Sequence, residues 1–178
     1  MVEAAARLAD ADGLDHLSLT RLAAVLGVRP PTLFKHVDGL PDLHRRLQLR
    51  GLREMASLAA RAAVGLAGDD AVTAIADTLR AFAHEHPGVY AASLPATRAE
   101  FPELDAAAAD FVAIFFDAMR EYGFEDDENV HAVRGLFSAL HGFIMLERAS
   151  TFGMAISVDD SYHWLLRRYL AALRADAE

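Results

Sequence analysis

Apolar residues recur every three or four positions along almost the whole chain, and no stretch alternates apolar and polar residues between hairpin turns. That pattern admits helices and excludes a sheet. Val2, Ala5, Ala6, Leu8 and Ala9 share one face of a first helix, which "DADG" (10–13) stops. Ser18 or Thr20 caps a second helix carrying Leu22, Ala23, Val25 and Leu26. Gly27 ends it, because glycine accepts the left-handed conformation without a steric penalty. Pro30 and Pro31 suit the first turn of a third helix, where their missing N–H groups would go unpaired anyway. The spacing predicts that this helix runs through about Val37 and ends at "DG".

Longer helices follow. Pro41, Leu43, Leu47, Leu52, Met55 and Leu58 predict a fourth, from about Asp38 to Leu66. "GDD" (68–70) opens a fifth that stops at "HPG" (86–88), and a short segment spans about 88–94. "PATRAEFP" (95–102) reads as a loop. Helices at about 103–122, 127–149 and 158–175 complete an all-α protein of about nine helices, with "TFGMAIS" as the last connection. Two parts are expected. Residues 1–38 form a three-helix head, extending to about 50 through the start of the fourth helix, and residues 39–178 form a helical body.

Composition narrows the chemistry. Hydrophobic residues make up 53% of the 178, enough for a core. Cysteine is absent, which excludes disulfides, thiolate metal sites and cysteine nucleophiles. No apolar run is long enough to span a bilayer, and "MVEAAARLAD" lacks the basic and apolar regions of a signal peptide, so a cytoplasmic protein is expected. Two of the eight histidines, His84 and His86, project about 200° apart on a helix, and His131 and His141 lie about 15 Å apart. Neither pair can hold one metal ion, and no cofactor is implied.

Charge is unevenly spread. Residues 1–53 carry +2, with eight basic and six acidic side chains, whereas the rest carries −11. A basic head on an acidic body suits a protein of which only the head approaches a polyanion. The sole lysine, Lys35, stands in that head.

Residues 19–38, "LTRLAAVLGVRPPTLFKHVD", read as two helices about a tight turn. Leu22 and Leu26 supply the apolar stripe of the first. Ala23 is small where the helices cross, Gly27 supplies the turn, and Val28 and Leu33 pack the second helix back, with Phe34 docking beside Leu33. These spacings suit a helix-turn-helix, whose second helix enters the major groove. Its outward residues are Arg29, Pro31, Thr32, Lys35 and His36. Thr32 can meet a thymine methyl, and arginine or lysine can reach guanine or phosphate.

"LSLTRLAAVLGVRPPTLFKHVDGLPDL" resembles the DNA-binding head of the TetR (tetracycline-repressor-like) transcriptional regulators. The likeness lies in Ser18–Leu19–Thr20, the "LAAVLGV" helix, the "PTLFKHV" recognition helix and the long helix after it. "HEHPGVY" (84–90) and "ALHGF" (139–143) further resemble the subgroup whose C-terminal domain carries a Trp-His-Gly signature, with Leu140 in the tryptophan's place. The resemblance implies DNA contacts at Thr20, Arg29, Pro31, Thr32, Phe34, Lys35 and His36. Two departures stand out: the family usually has tyrosine at Phe34 and lysine at Leu40, and both serve phosphate contacts. Their loss predicts weaker operator binding with a shallower salt dependence.

For the acidic body, the resemblance implies a cavity for a small hydrophobic or aromatic effector between the middle helices. His86, Tyr90, Phe111, Phe115, Phe137 and His141 are the candidate lining. "VRGLFSALHGFIMLE" (133–147) and "YHWLLRRYLAAL" (162–173) have broad apolar faces, and Gly135, Ala139 and Gly142 permit close helix approach. A homodimer through these last two helices would pair two heads on a palindromic operator. The leading expectation is a ligand-released repressor. An enzyme finds no support: there is no phosphate-binding glycine loop, no metal spacing and no G-x-S-x-G. A helical small-molecule-binding or adaptor protein with weakened DNA binding is the alternative.

Overall fold

A left-handed glycine at each end brackets the segment that follows the second helix: Gly27 has φ +67° and Gly39 has φ +83°. The computed structural model describes residues 1–95 and 100–176. Nine α-helices, and no strand, occur among the described residues: α1 Val2–Asp12, α2 Leu19–Leu26, α3 Pro30–Leu33, α4 Gly39–Ala62, α5 Gly68–Glu85, α6 Pro87–Ser93, α7 Pro102–Ala118, α8 Asp126–Arg148 and α9 Val158–Asp176. Single 3-10 turns stand at Leu14–His16 and Arg120–Tyr122. The fold is all-α, as the periodicity predicts. Part of the expected loop, residues 96–99, lies outside the described residues.

Three elements are shorter than their sequence suggests, and one of them, α4, ends at Ala62 instead of about Leu66. α3 closes at Leu33 instead of near Val37, and the chain winds on through turns in which Lys35 N–H donates to Thr32 O (3.3 Å) and His36 N–H to Leu33 O (2.8 Å). These N–H groups reach carbonyls three residues back, so the α-helical ladder is not continued before Gly39 turns the chain. α7 stops at Ala118, not about 122: Met119 leaves the helical region, a 3-10 turn follows, and Gly123 at φ +72° completes the stop. No apolar periodicity marks that change, because Met119 and Tyr122 are still buried.

The helices gather into two compact units, Met1–Ser57 with Ala81–Phe111, and Leu58–Arg80 with Val112–Glu178. The head expected over residues 1–38 lies inside the first.

In the first unit α1 packs on α6 and on α2, and α2 packs on α3. Ala5, Ala9, Leu22, Ala23, Leu33, Val37, Leu43 and Leu47 are buried there. Leu26 and Val28, expected to pack the helix pair, are instead 36% and 38% exposed, and Phe34, expected to dock beside Leu33, is 60% exposed. With α3 only one turn long, Leu33 and Val37 alone reach inward. Two glycines allow close packing on α6. A Cβ on Gly88 would fall 2.1 Å from the Ala9 carbonyl carbon, and one on Gly51 would fall 1.9 Å from Ser93 Oγ.

In the second unit Val72, Ile75, Leu79, Phe115, Leu136, Ile144, Tyr162 and Leu166 form the core, and α8 packs on α9. Arg80 of α5 joins them: its Nε donates to Glu147 of α8 at 2.9 Å, an Nη donates to Asp159 at the start of α9 at 2.7 Å, and its guanidinium lies 4.4 Å from the centre of the Tyr162 ring. Gly135, expected to admit a second chain, lies against Tyr169 of its own α9, whose hydroxyl donates to Ala132 O at 2.8 Å.

Candidate nucleic-acid interface

Ser18 caps α2 by accepting from Arg21 N–H at 3.3 Å. At the other end the N–H groups of Gly27 and Val28 donate to Ala24 O (3.2 Å) and Ala23 O (3.0 Å), closing the helix as its glycine predicts. Arg29 is extended and Pro30 starts α3. The buried sides of Leu22, Ala23, Leu33 and Val37 face the interior, so the opposite side of the segment is turned to solvent. Thr20, Arg29, Pro31, Thr32, Phe34, Lys35 and His36 are all exposed. The structure thus brings Arg29 through His36 onto one exposed turn, with Thr20 on α2.

Charge around this turn is distributed selectively. Arg7 pairs with Glu3 (3.6 Å), Arg21 with Asp12, Arg45 with Asp42 and Glu103 (2.7 Å to the latter), Arg46 with Asp42 (3.0 Å), and Arg50 with Glu3 (3.0 Å). Burial opposes the charge on Asp42, yet hydrogen bonds from Arg45, Arg46 and the Asp38 N–H outweigh it and hold its pKa below the usual carboxylate value. Asp42 therefore stays ionised at neutral pH and keeps both arginines occupied. Among the described residues, the basic side chains of residues 1–53 that make no ion pair or side-chain hydrogen bond are Arg29, Lys35 and Arg53. Two of those three flank α3. The sequence count of +2 concealed this, because it cannot distinguish neutralised arginines from available ones.

A tether missing from the sequence reading links α1 to α6. Asp10 accepts from Gly88 N–H (2.9 Å) and Val89 N–H (3.0 Å), capping α6, and also from His86 Nδ1 (3.1 Å). Its only sequence signal is an acidic residue on α1, too common to single out.

The six candidate effector residues fall in both units. His86, Tyr90 and Phe111 belong to the first unit, with His86 held by Asp10 and its ring 5.2 Å from that of Phe82. Phe115, Phe137 and His141 belong to the second, where Phe137 and His141 stack at 6.4 Å. Tyr90, Phe111 and Phe115 are buried core. A cavity of about 410 Å³ in the first unit has none of the six in its wall.

A family model for the tetracycline repressor-like C-terminal domain matches residues 72–169. The chain is 36% identical to a helix-turn-helix-type transcriptional regulator of Mycobacterium tuberculosis, Rv0681, over 83% of this chain and 68% of that one. It is 32% identical to the helix-turn-helix-type regulator YobS of Bacillus subtilis, over 97% and 90% respectively. A possible TetR family regulator of Streptomyces coelicolor A3(2) has the same fold, with a TM-score of 0.74 at 22% identity and coverage of 98% and 97%. With an exposed helix-turn-helix at residues 18–38 and these matches across both units, the chain belongs to the TetR family of transcriptional regulators.

Proposed function

We propose that the protein is a repressor that binds a palindromic operator as a homodimer and lets go when a small hydrophobic molecule binds it. The observation that supports this reading is the pairing pattern of the head. Nearly every arginine around the recognition turn is neutralised, and Arg29 and Lys35 are left for DNA. Thr32 and His36 read base edges, Lys35 and Arg29 meet guanine or phosphate, and Thr20, Pro31 and Phe34 line the contact. Effector release is a population shift, in which the ligand binds more tightly to the state whose heads no longer match successive major grooves.

Selection of bound sequences from random duplex DNA supplies the operator and tests its symmetry. On that operator, replacing Thr32 and Lys35 together with alanine weakens binding about 100-fold or more, the loss of two groove contacts. Lys35→Ala alone lowers the slope of log K against log salt by about 1. Fluorescence anisotropy measures both, and unchanged operator affinity in the double variant overturns the assignment.

Dimerisation through α8 and α9 draws support from the surface they leave open. Met145, Leu146 and Trp164 are exposed, and nothing lies within 4 Å of a Cβ placed on Gly142. Gly142→Arg therefore leaves the protomer folded. It is expected to convert a dimer into a monomer in sedimentation and to abolish cooperative occupancy of the two half-sites. A wild-type monomer at micromolar concentration, or a dimeric Gly142→Arg variant, refutes this interface.

A further inference from the structure

In the first unit, the segment that leaves the recognition turn forms one side of the cavity of about 410 Å³. Leu40 and Pro41 follow directly on the turn, Leu14 stands on the connection between α1 and α2, Ala92 lies in the last turn of α6, Phe101 just precedes α7 and Leu104 is in its first turn. The volume falls within the range of small-molecule sites, and the walls are mainly apolar.

Three polar side chains stand in the wall: His44, whose Nε2 has no hydrogen-bond partner but is sealed from solvent, and Arg45 and Gln48, which define what could occupy it. Arg45 is paired with Asp42 and Glu103 and lies against the Phe101 ring, 5.0 Å from its centre, so among the described residues the wall offers no unpaired arginine or lysine to an anionic ligand. Gln48 is 8% exposed, and its amide donates to Pro95 O at 2.6 Å. That bond assigns the nitrogen to the carbonyl side and directs Oε1 the other way. Among the described residues Oε1 has no partner, and it is not one of the buried atoms sealed from solvent. A buried side chain with one reachable acceptor in an apolar wall selects a ligand with one donor.

We infer that this cavity is an effector site for a neutral, largely apolar molecule carrying a single N–H or O–H donor, which Gln48 Oε1 accepts. Occupancy presses on Leu40 and Leu14, at the two chain segments that carry α2 and α3, and thereby alters how the recognition turn is held. The inference rests on the DNA-reading assignment for its consequence, but not for the binding itself.

The test uses the full chain without DNA and two fluorescent probes: N-phenyl-1-naphthylamine, neutral with one N–H, and its N-methyl derivative, which lacks the donor. The expected result is one N–H probe per chain, bound about 10-fold more tightly than the methylated one, the worth of one hydrogen bond to a buried acceptor. Gln48→Met removes that preference while still binding the methylated probe, whereas a merely structural loss would weaken both probes alike. Leu40→Trp, on the half-buried rim, and Ala92→Trp, inside, each reduce binding of both probes at least about 10-fold by filling the space. Should Ala92→Trp fail to fold, the rim variant still decides. Binding that survives Leu40→Trp, or an N–H preference that survives Gln48→Met, overturns the site. Operator affinity, measured separately with and without the N–H probe, is expected to fall on loading. A wild-type chain that binds its operator but shows no probe binding refutes the cavity alone, while probe binding in a chain that selects no DNA refutes only the repressor reading.

Discussion

Arg80→Met lowers the stability of the protein by about 3 kcal/mol, the cost of breaking a largely buried, hydrogen-bonded ion pair, and lowers the melting temperature by roughly 6–12 °C for a chain of this size. The geometry sets that magnitude. Arg80 and Glu147 are only 14% and 16% exposed, so neither charge can recover its hydration in the folded state. The pair is fork-like, with Nε and an Nη on the two oxygens of Glu147, and this raises the guanidinium pKa further above its already high value. Asp159, whose side chain is 74% exposed, contributes little. Pairing Arg80→Met with Glu147→Leu should recover most of the loss, because a buried ion pair and its apolar replacement are nearly equivalent. Thermal or urea denaturation of the single and double variants measures the coupling. A single variant within 1 kcal/mol of wild type (roughly the worth of a surface pair) contradicts the reading of Arg80 and Glu147 as a largely desolvated pair.

Gly88→Ala should disrupt the first unit by a different route. Its Cβ would meet the Ala9 carbonyl carbon at 2.1 Å and the Ala9 oxygen at 2.2 Å, both backbone atoms that cannot rotate away. α1 and α6 must separate, and Asp10 then loses its bonds to Gly88 and Val89. Overpacking alone costs about 1–3 kcal/mol, and the loss of the cap adds about 1 kcal/mol. Gly51→Ala provides the contrast. Its nearest obstacle is Ser93 Oγ at 1.9 Å, a hydroxyl that can turn, with Val89 Cγ1 next at 2.9 Å. The expected order of melting temperatures is wild type, then Gly51→Ala, then Gly88→Ala, and the reverse order of the two variants rejects α1–α6 backbone contact as the tighter constraint. The Gly88→Ala variant should also lose operator binding at temperatures where it remains folded, since α1 packs on α2 as well as on α6.

The helical character of the chain was legible because apolar spacing and capping residues agreed. Ser18 and Gly27 do at α2 what their positions imply, and the residues proposed to meet DNA lie exposed. The illegible features depend on contacts between residues distant in sequence. Gly88 reads as part of a turn in "HPG", yet its packing role arises from Ala9, far earlier in the chain. Gly135 reads as a place for a second chain, but Tyr169 fills the space. Gln48 looks like an ordinary surface residue of a long helix, and only the carbonyl of Pro95 makes its free oxygen distinctive. Apolar periodicity also overstated the inward face of the head, since it cannot reveal that a one-turn α3 leaves Leu26, Val28 and Phe34 partly in solvent.

The two left-handed glycines have a consequence for how such regulators diversify. Between Gly27 and Gly39 the chain enters and leaves the recognition turn through residues that carry no side chain, and only Leu33 and Val37 of that stretch are buried. The stretch is therefore an interchangeable cassette. On the proposed DNA-reading role, its outward letters can be rewritten to address a new DNA sequence while two apolar anchors and two glycine turns carry the structural obligation, which leaves operator choice and protein stability free to evolve on separate residues.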